Sequence, residues 1–172
     1  MAMVGRPGAD EAAPYYFKYI DRVPGDDVVA VLAEQLEQAR GFWGAIPEEK
    51  SRHRYEPGKW SIREALAHVN DTERLFQFRT FWFARALGEP LPSFDPDTAA
   101  AAALADERPL ASLLDEFFAV RQSSLALLRS LPPEAWLRRG TASGNPFSAR
   151  AVAFVTAGHA AHHVAIVKER YL

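Results

Sequence analysis

The chain contains no cysteine. That absence excludes disulfide frameworks, thiolate zinc sites, iron–sulfur clusters and a cysteine nucleophile, and it leaves His, Asp and Glu as the available protein metal ligands. Charge of one sign is also missing. Twenty Lys and Arg stand against 22 Asp and Glu, mixed along the chain, for a net charge of -2. A nucleic-acid surface needs cations clustered on one face, so no nucleic-acid partner is expected. No stretch reaches the roughly 18 uninterrupted apolar residues that cross a bilayer, so no membrane partner is expected either. Residues 1–14 carry Gly5, Pro7, Gly8 and Pro14 beside Asp10 and Glu11 with no apolar segment. They read as a flexible tail rather than a signal peptide, and with the missing cysteine this points to a cytoplasmic protein. Finally, no segment shows the period-2 alternation of a sheet, which predicts an all-α chain.

What is present is helical periodicity in one domain over residues 15–172. The 3, 4, 7 spacing of Val28, Val31, Leu32, Gln35, Leu36 and Ala39 predicts a first helix from about Asp26 to Ala45, capped by Asp26 or Asp27. A capping box, Ser61-Ile62-Arg63-Glu64, opens a second helix that runs to about Leu87 and stops at Gly88 and Pro90. Pro109 suits the first turn of a third helix that Pro132-Pro133 ends after Ser130, and a fourth runs from about Ser148 to the C-terminus. Four amphipathic helices of this length bury best as a four-helix bundle. The Pro-rich segment from Gly88 to Arg108 predicts a long crossover between helices two and three, with a short helix near Thr98 to Ala105. The two linkers Ile46-Pro47-Glu48-Glu49 and Leu131-Pro132-Pro133-Glu134 resemble each other and each leads to a histidine-bearing helix, which suggests two helix pairs related by pseudo-symmetry.

The five histidines carry most of the chemistry. In His159-Ala160-Ala161-His162-His163, the first and last rings differ by about 40° and one turn, so both project from one face and can meet one metal ion. His162 lies about 60° to the other side. Val152, Val155, Thr156, Ile166 and Val167 mark the His159–His163 stripe as the buried one. His68 sits on the apolar stripe of helix two with Ala65, Thr72 and Leu75, which makes it the candidate third ligand. Three neutral imidazoles suit zinc or nickel first, with iron, cobalt or manganese as alternatives, and leave coordination positions open. Asp71, three residues after His68, is the candidate carboxylate, either as a fourth ligand or in proton transfer. Arg79 shares the stripe of His68 with about 20° of drift and is a candidate anion contact; the plainer expectation is a bundle-end arginine with its head in water. His53 lies in a charged linker with no assigned role.

The block Tyr55-Glu56-Pro57-Gly58-Lys59-Trp60-Ser61-Ile62-Arg63-Glu64-Ala65-Leu66-Ala67-His68, together with Ala157-Gly158-His159-Ala160-Ala161-His162-His163, resembles the DinB/YfiT-like superfamily. The resemblance extends from about Tyr15 to Leu172. It implies a four-helix bundle with a histidine triad, which falls on His68, His159 and His163 and leaves His162 outside. It also implies frequent dimers and, for some relatives, low-molecular-weight thiols such as mycothiol or bacillithiol as co-substrates.

Two enzyme readings follow. In a thiol S-transferase the metal would stabilise a co-substrate thiolate; in a hydrolase it would activate water, with Asp71 or His162 relaying the proton. The alternative is a non-catalytic metal-binding stress-response or interaction module, with Asp71 closing the coordination sphere. The run Phe76, Phe78, Phe81, Trp82 and Phe83, with Phe117 and Phe118, covers more faces than one core stripe needs, so a homodimer is expected.

Overall fold

The computed structural model describes residues 4–172. A 3-10 turn (Pro14–Tyr16) leads into α1 (Phe17–Ile20), followed by α2 (Val28–Trp43) and α3 (Ile62–Ala84). The crossover carries α4 (Pro96–Ala102) and a 3-10 turn (Ala105–Glu107) before α5 (Leu110–Arg129). A further 3-10 turn (Pro133–Leu137), β1 (Arg139–Ala142) and β2 (Asn145–Ser148) lead to α6 (Ala149–Arg170). The helix starts follow the sequence chemistry. Asp27 accepts from Ala30 N, Ser61 and Glu64 form the reciprocal capping box, and Ser148 accepts from Ala151 N. The ends are shorter than periodicity suggests, because α3 stops at Ala84 and Ala86 turns the chain with φ of 57°.

Helices α2, α3, α5 and α6 form the bundle, with α2 and α3 each packed against both α5 and α6. Consecutive helices α2 and α3 therefore face each other across the core rather than lying side by side. Exchanging α2 with α5 and α3 with α6 maps each contacting pair onto another, the relation that the recurring linkers suggest. Two apolar clusters fill the interior, one around Leu32, Phe83, Leu125 and Phe154, the other around Trp43, Leu66, Leu113 and Val167. Between them lies a polar layer. Arg121 Nε and Nη2 donate to the Glu73 carboxylate at 2.7 and 2.8 Å, Arg121 Nη1 donates to Gln35 Oε1 at 2.9 Å, and Gln35 donates to the Ala157 carbonyl.

Three features add to these expectations. The chain is predominantly helical but includes a two-stranded antiparallel sheet, β1 with β2, whose turn uses Ser143 and Gly144 at φ of 53° and 72°. Both positive φ values match the twist of a two-residue hairpin, and four-residue strands are too short to show alternation. Of the supposed tail, Met1 to Met3 lie outside the described residues, while Val4 to Pro14 lie against the bundle. There Glu11 is buried and accepts from Arg150 Nε and the Ser148 hydroxyl at 2.7 Å, and Ala12 bridges to Phe147. A buried carboxylate with two side-chain donors is a structural anchor, which composition alone does not reveal. Lastly, α6 has no single apolar stripe: nearly every residue from Ala149 to Ala160 is buried, because α1, the hairpin, α2 and α3 cover it together. Of the aromatic run, Phe76, Phe83 and Phe117 belong to the core, and Phe78 and Phe81 are exposed.

Candidate metal centre

Two helices bring the histidines together. His68 lies two turns into α3, and His159 and His163 lie one turn apart on α6, which packs along α3. His68 Nε2 is 3.1 Å from His159 Nε2, and His163 Nε2 is 3.2 Å from His159 Nε2. One nitrogen from each of the three lies within 4.8 Å of the others. Tetrahedral ligands at the usual zinc–nitrogen distance sit about 3.3 Å apart, so these spacings fit one divalent ion held by three nitrogens.

The electrostatics fit as well. Burial pushes His68 down to about 4 and, with the charges of His68 and His162, pushes His163 down to about 3; burial and both partners hold His159 well below its ordinary value. All three rings are neutral near pH 7, the form that ligates.

Aromatic side chains set the ring orientations. Trp60, immediately before α3, packs on His68 at 4.6 Å between centroids and stacks near His163 at 6.4 Å. Tyr19 of α1 meets both His159 and His162 edge-on at 5.4 Å, and Phe94 of the crossover stacks over His68. Tyr19 reaches that position because Gly158 has no side chain: a Cβ there would lie 1.9 Å from the Tyr19 carbonyl oxygen. The rings border an open cavity of about 370 Å³ whose wall includes Tyr16, Thr72, Phe76, Arg79, Ser143 and His162. Among the described residues no carboxylate lines it.

The other sequence candidates separate. His162 lies on the cavity wall, half-buried, with its pKa lowered by burial and by Arg22 and Lys18. Asp71 does not join the triad. It turns to the outer face of α3, where it pairs with Arg74 at 3.2 Å, and burial raises its pKa despite that pair. The i+3 spacing from His68 rotates it by about 60° away from the cavity, and the group of converging ligand atoms is His68, His159 and His163 without it. Arg79 departs from the plainer expectation: it is 3% exposed and lines the cavity. His53 packs edge-on to Tyr171 and stays apart from the triad. Tyr19, Trp60 and Phe94 went unassigned by periodicity because they come from the short segments flanking the long helices. The aromatic cluster Tyr15-Tyr16-Phe17-Lys18-Tyr19 and the mid-helix glycine before His159 were the available signals.

Among curated protein sequences nothing matches this chain. Among solved structures it is similar to YfiT from Bacillus subtilis, described as a probable metal-dependent hydrolase with an unusual four-helix bundle topology. The identity is 17% with a TM-score of 0.70, covering 95% of this chain and 89% of that one. At that identity the likeness speaks for the fold. The sequence profile of the DinB superfamily matches residues 31–167, a span that takes in His68, His159 and His163, and the chain belongs to that superfamily.

Proposed function

We propose that this protein is a metal-dependent enzyme in which His68, His159 and His163 hold a divalent transition metal and leave a position open to the cavity. The observation that carries this reading is the convergence of three neutral Nε2 atoms on the wall of a cavity rather than inside a sealed core. A bound divalent ion supplies Lewis acidity, which lowers the pKa of a water or thiol that reaches it. A non-catalytic metal module with Asp71 closing the coordination sphere is the alternative, and the pairing of Asp71 with Arg74 outside the cavity favours an open position over it.

The protein's own residues serve this chemistry in three ways. Trp60, Phe94 and Tyr19 lock the imidazole planes and keep bulk water from the buried side of the triad. The depressed pKa values keep protons from competing for the ligating nitrogens. His162, whose ring centroid is 5.3 Å from that of His163, is the titratable neighbour able to take a proton from the nucleophile on a ring nitrogen.

Hydrolysis is the first reading, and it agrees with the description of the YfiT structure. A second reading, transfer to a small thiol co-substrate, draws on one feature: among the described residues no carboxylate base lines the cavity, and a thiol, more acidic than water, would need only the weaker base His162 to take its proton. Protein purified without a polyhistidine tag should carry close to one transition metal per chain, and His159→Ala should carry little. Ester and amide substrates, then thiol plus electrophile pairs, should be assayed before and after chelation. Wild-type protein free of transition metal after growth and incubation with zinc, nickel, iron, cobalt and manganese would end the proposal.

A further inference from the structure

Three arginines are buried in this fold: Arg63, Arg79 and Arg121. Arg121 is clasped by Glu73 and Arg63 is paired with Glu48. Arg79 differs. Among the described residues no carboxylate pairs with it within 4.0 Å, and the ionisable group that acts on its charge is the Tyr16 phenol. Its Nη2 donates to the Pro92 carbonyl at 3.0 Å and to the Ser143 hydroxyl at 2.8 Å, while Nε is buried without a hydrogen-bond partner. A buried charge is normally compensated, and a buried donor normally finds an acceptor.

The unused donor is covered by its neighbours, but the side chain that carries it borders the triad cavity. Arg79 and Ser143 both line the triad cavity. The Nε–H and an Nη2–H of a guanidinium form the side-on fork that receives a carboxylate, the arrangement that Arg121 uses on Glu73. On Arg79 the Nε prong has no partner while both Nη2 hydrogens are engaged, so an incoming carboxylate takes Nε and shares or replaces the contact of Nη2 with Ser143. The Ser143 hydroxyl accepts from Nη2, so its own proton is free to donate beside the fork. Ser143 is held there in the left-handed region, with φ of 53°, by the hairpin turn, and its N–H donates to the Leu91 carbonyl.

We propose that Arg79 and Ser143 form a subsite for the carboxylate of an organic acid that extends through the cavity toward the triad. This rests on reading the cavity as the substrate site of a metal-dependent enzyme. One fixed cation matches a monoanion, and a phosphate dianion would call on further cations or backbone N–H groups. Tyr16, Phe76 and Phe94 along the same wall suit an apolar body. His68 and Arg79 are eleven positions apart on α3, about 16 Å of helix rise, and the arginine side chain leans back toward the N-terminus. The imidazole of His68 leans the same way by less, so the ligand's carboxylate and its reacting group are on the order of 10–15 Å apart.

The test uses metal-free full-length protein at pH 8 in low-chloride buffer, titrated calorimetrically with phenylacetate, with its neutral isostere phenylacetamide, and with inorganic phosphate. Phenylacetate should bind saturably and at least tenfold more tightly than either comparison. Arg79→Met should bring it to the level of the amide. Arg79→Lys keeps the charge but lacks the fork and should lose at least fivefold; Ser143→Ala should lose a few-fold. Equal affinity for phenylacetate and phenylacetamide in the wild type overturns the subsite, whether or not any variant folds. So does tighter binding of phosphate, or undiminished affinity in a folded Arg79→Met. Because metal is absent throughout, a positive result stands even if the metal reading fails. Metal-dependent turnover without carboxylate preference would sink the subsite alone.

Discussion

Replacing Gly158 with alanine sets two physical effects against each other. Helix propensity favours the change: glycine inside a helix costs about 1 kcal/mol relative to alanine. Tertiary packing opposes it. The added Cβ would lie 1.9 Å from the Tyr19 carbonyl oxygen, 2.5 Å from its carbon and 3.0 Å from its Cα. Backbone atoms cannot rotate away, so α1 must retreat by more than ~1 Å to reach ordinary contact. Overpacking of this kind costs about 1–3 kcal/mol or more and outweighs the propensity gain. A backbone clash this short belongs at the upper end of that range, which leaves a net cost of ~2 kcal/mol after the propensity gain; at roughly 2–4 °C per kcal/mol for a domain of this size, Gly158→Ala should lower the melting temperature by ~4–8 °C. Gly41, within α2 and with nothing within 4 Å of the corresponding Cβ, is the control. Gly41→Ala should raise the melting temperature slightly. Both are measured on metal-free protein by calorimetry, and metal retained after dialysis is the second readout, because Tyr19 packs on His159 and His162. A melting temperature for Gly158→Ala equal to or above wild type would refute the close approach of α1 to α6.

The metal-free protein should lose stability on mild acidification. His68 binds its proton near pH 4 in the folded chain and near 6.5 unfolded, so the unfolded state gains protons first and stability falls between those values, by about 3 kcal/mol from this group alone. Urea melts at pH 7.5 and 4.5 read this directly, and equal midpoints would show the rings to be solvated. Glu73→Gln leaves the Arg121 guanidinium at 0% exposure without its counter-charge and should cost about 3–5 kcal/mol, whereas Glu73→Leu combined with Arg121→Met should recover most of it. The opposite ordering in denaturant melts would overturn that account. Glu11 would be raised by burial, but the donors Arg150, Ser148 and Gly8 hold it at about 2. Its contribution, about 3 kcal/mol, is present above pH 4.5 and lost as the pH falls toward 2. Glu11→Ala should free residues 4–14 for limited proteolysis near neutral pH, and unchanged cleavage kinetics would count against the anchor.

Local chemistry determined a good part of this protein in advance. The caps at Asp27, Ser61 and Ser148, the stops at Pro132 and Pro133, and the i, i+4 pair His159 and His163 are interactions within one or two helical turns, so spacing alone suffices to read them. The third histidine of the triad was legible for a related reason, since His68 sits on an inward stripe that had to face another helix. Tertiary structure decided the rest. Asp71 and Arg79 both lie on α3 after His68, and only the neighbours settle their surroundings: Asp71 pairs with Arg74, which also pairs with Glu116 of α5, while the crossover and the hairpin bury Arg79. Tyr19, Phe94, Glu11 and Ser143 act across gaps of tens of residues, where periodicity carries no information. The all-round burial of α6 also erases the amphipathic signal that the reading relied on. Residues whose partners lie within a turn are specified by sequence spacing; those whose partners arrive from another element are specified by which backbones approach closely enough, here through Gly158.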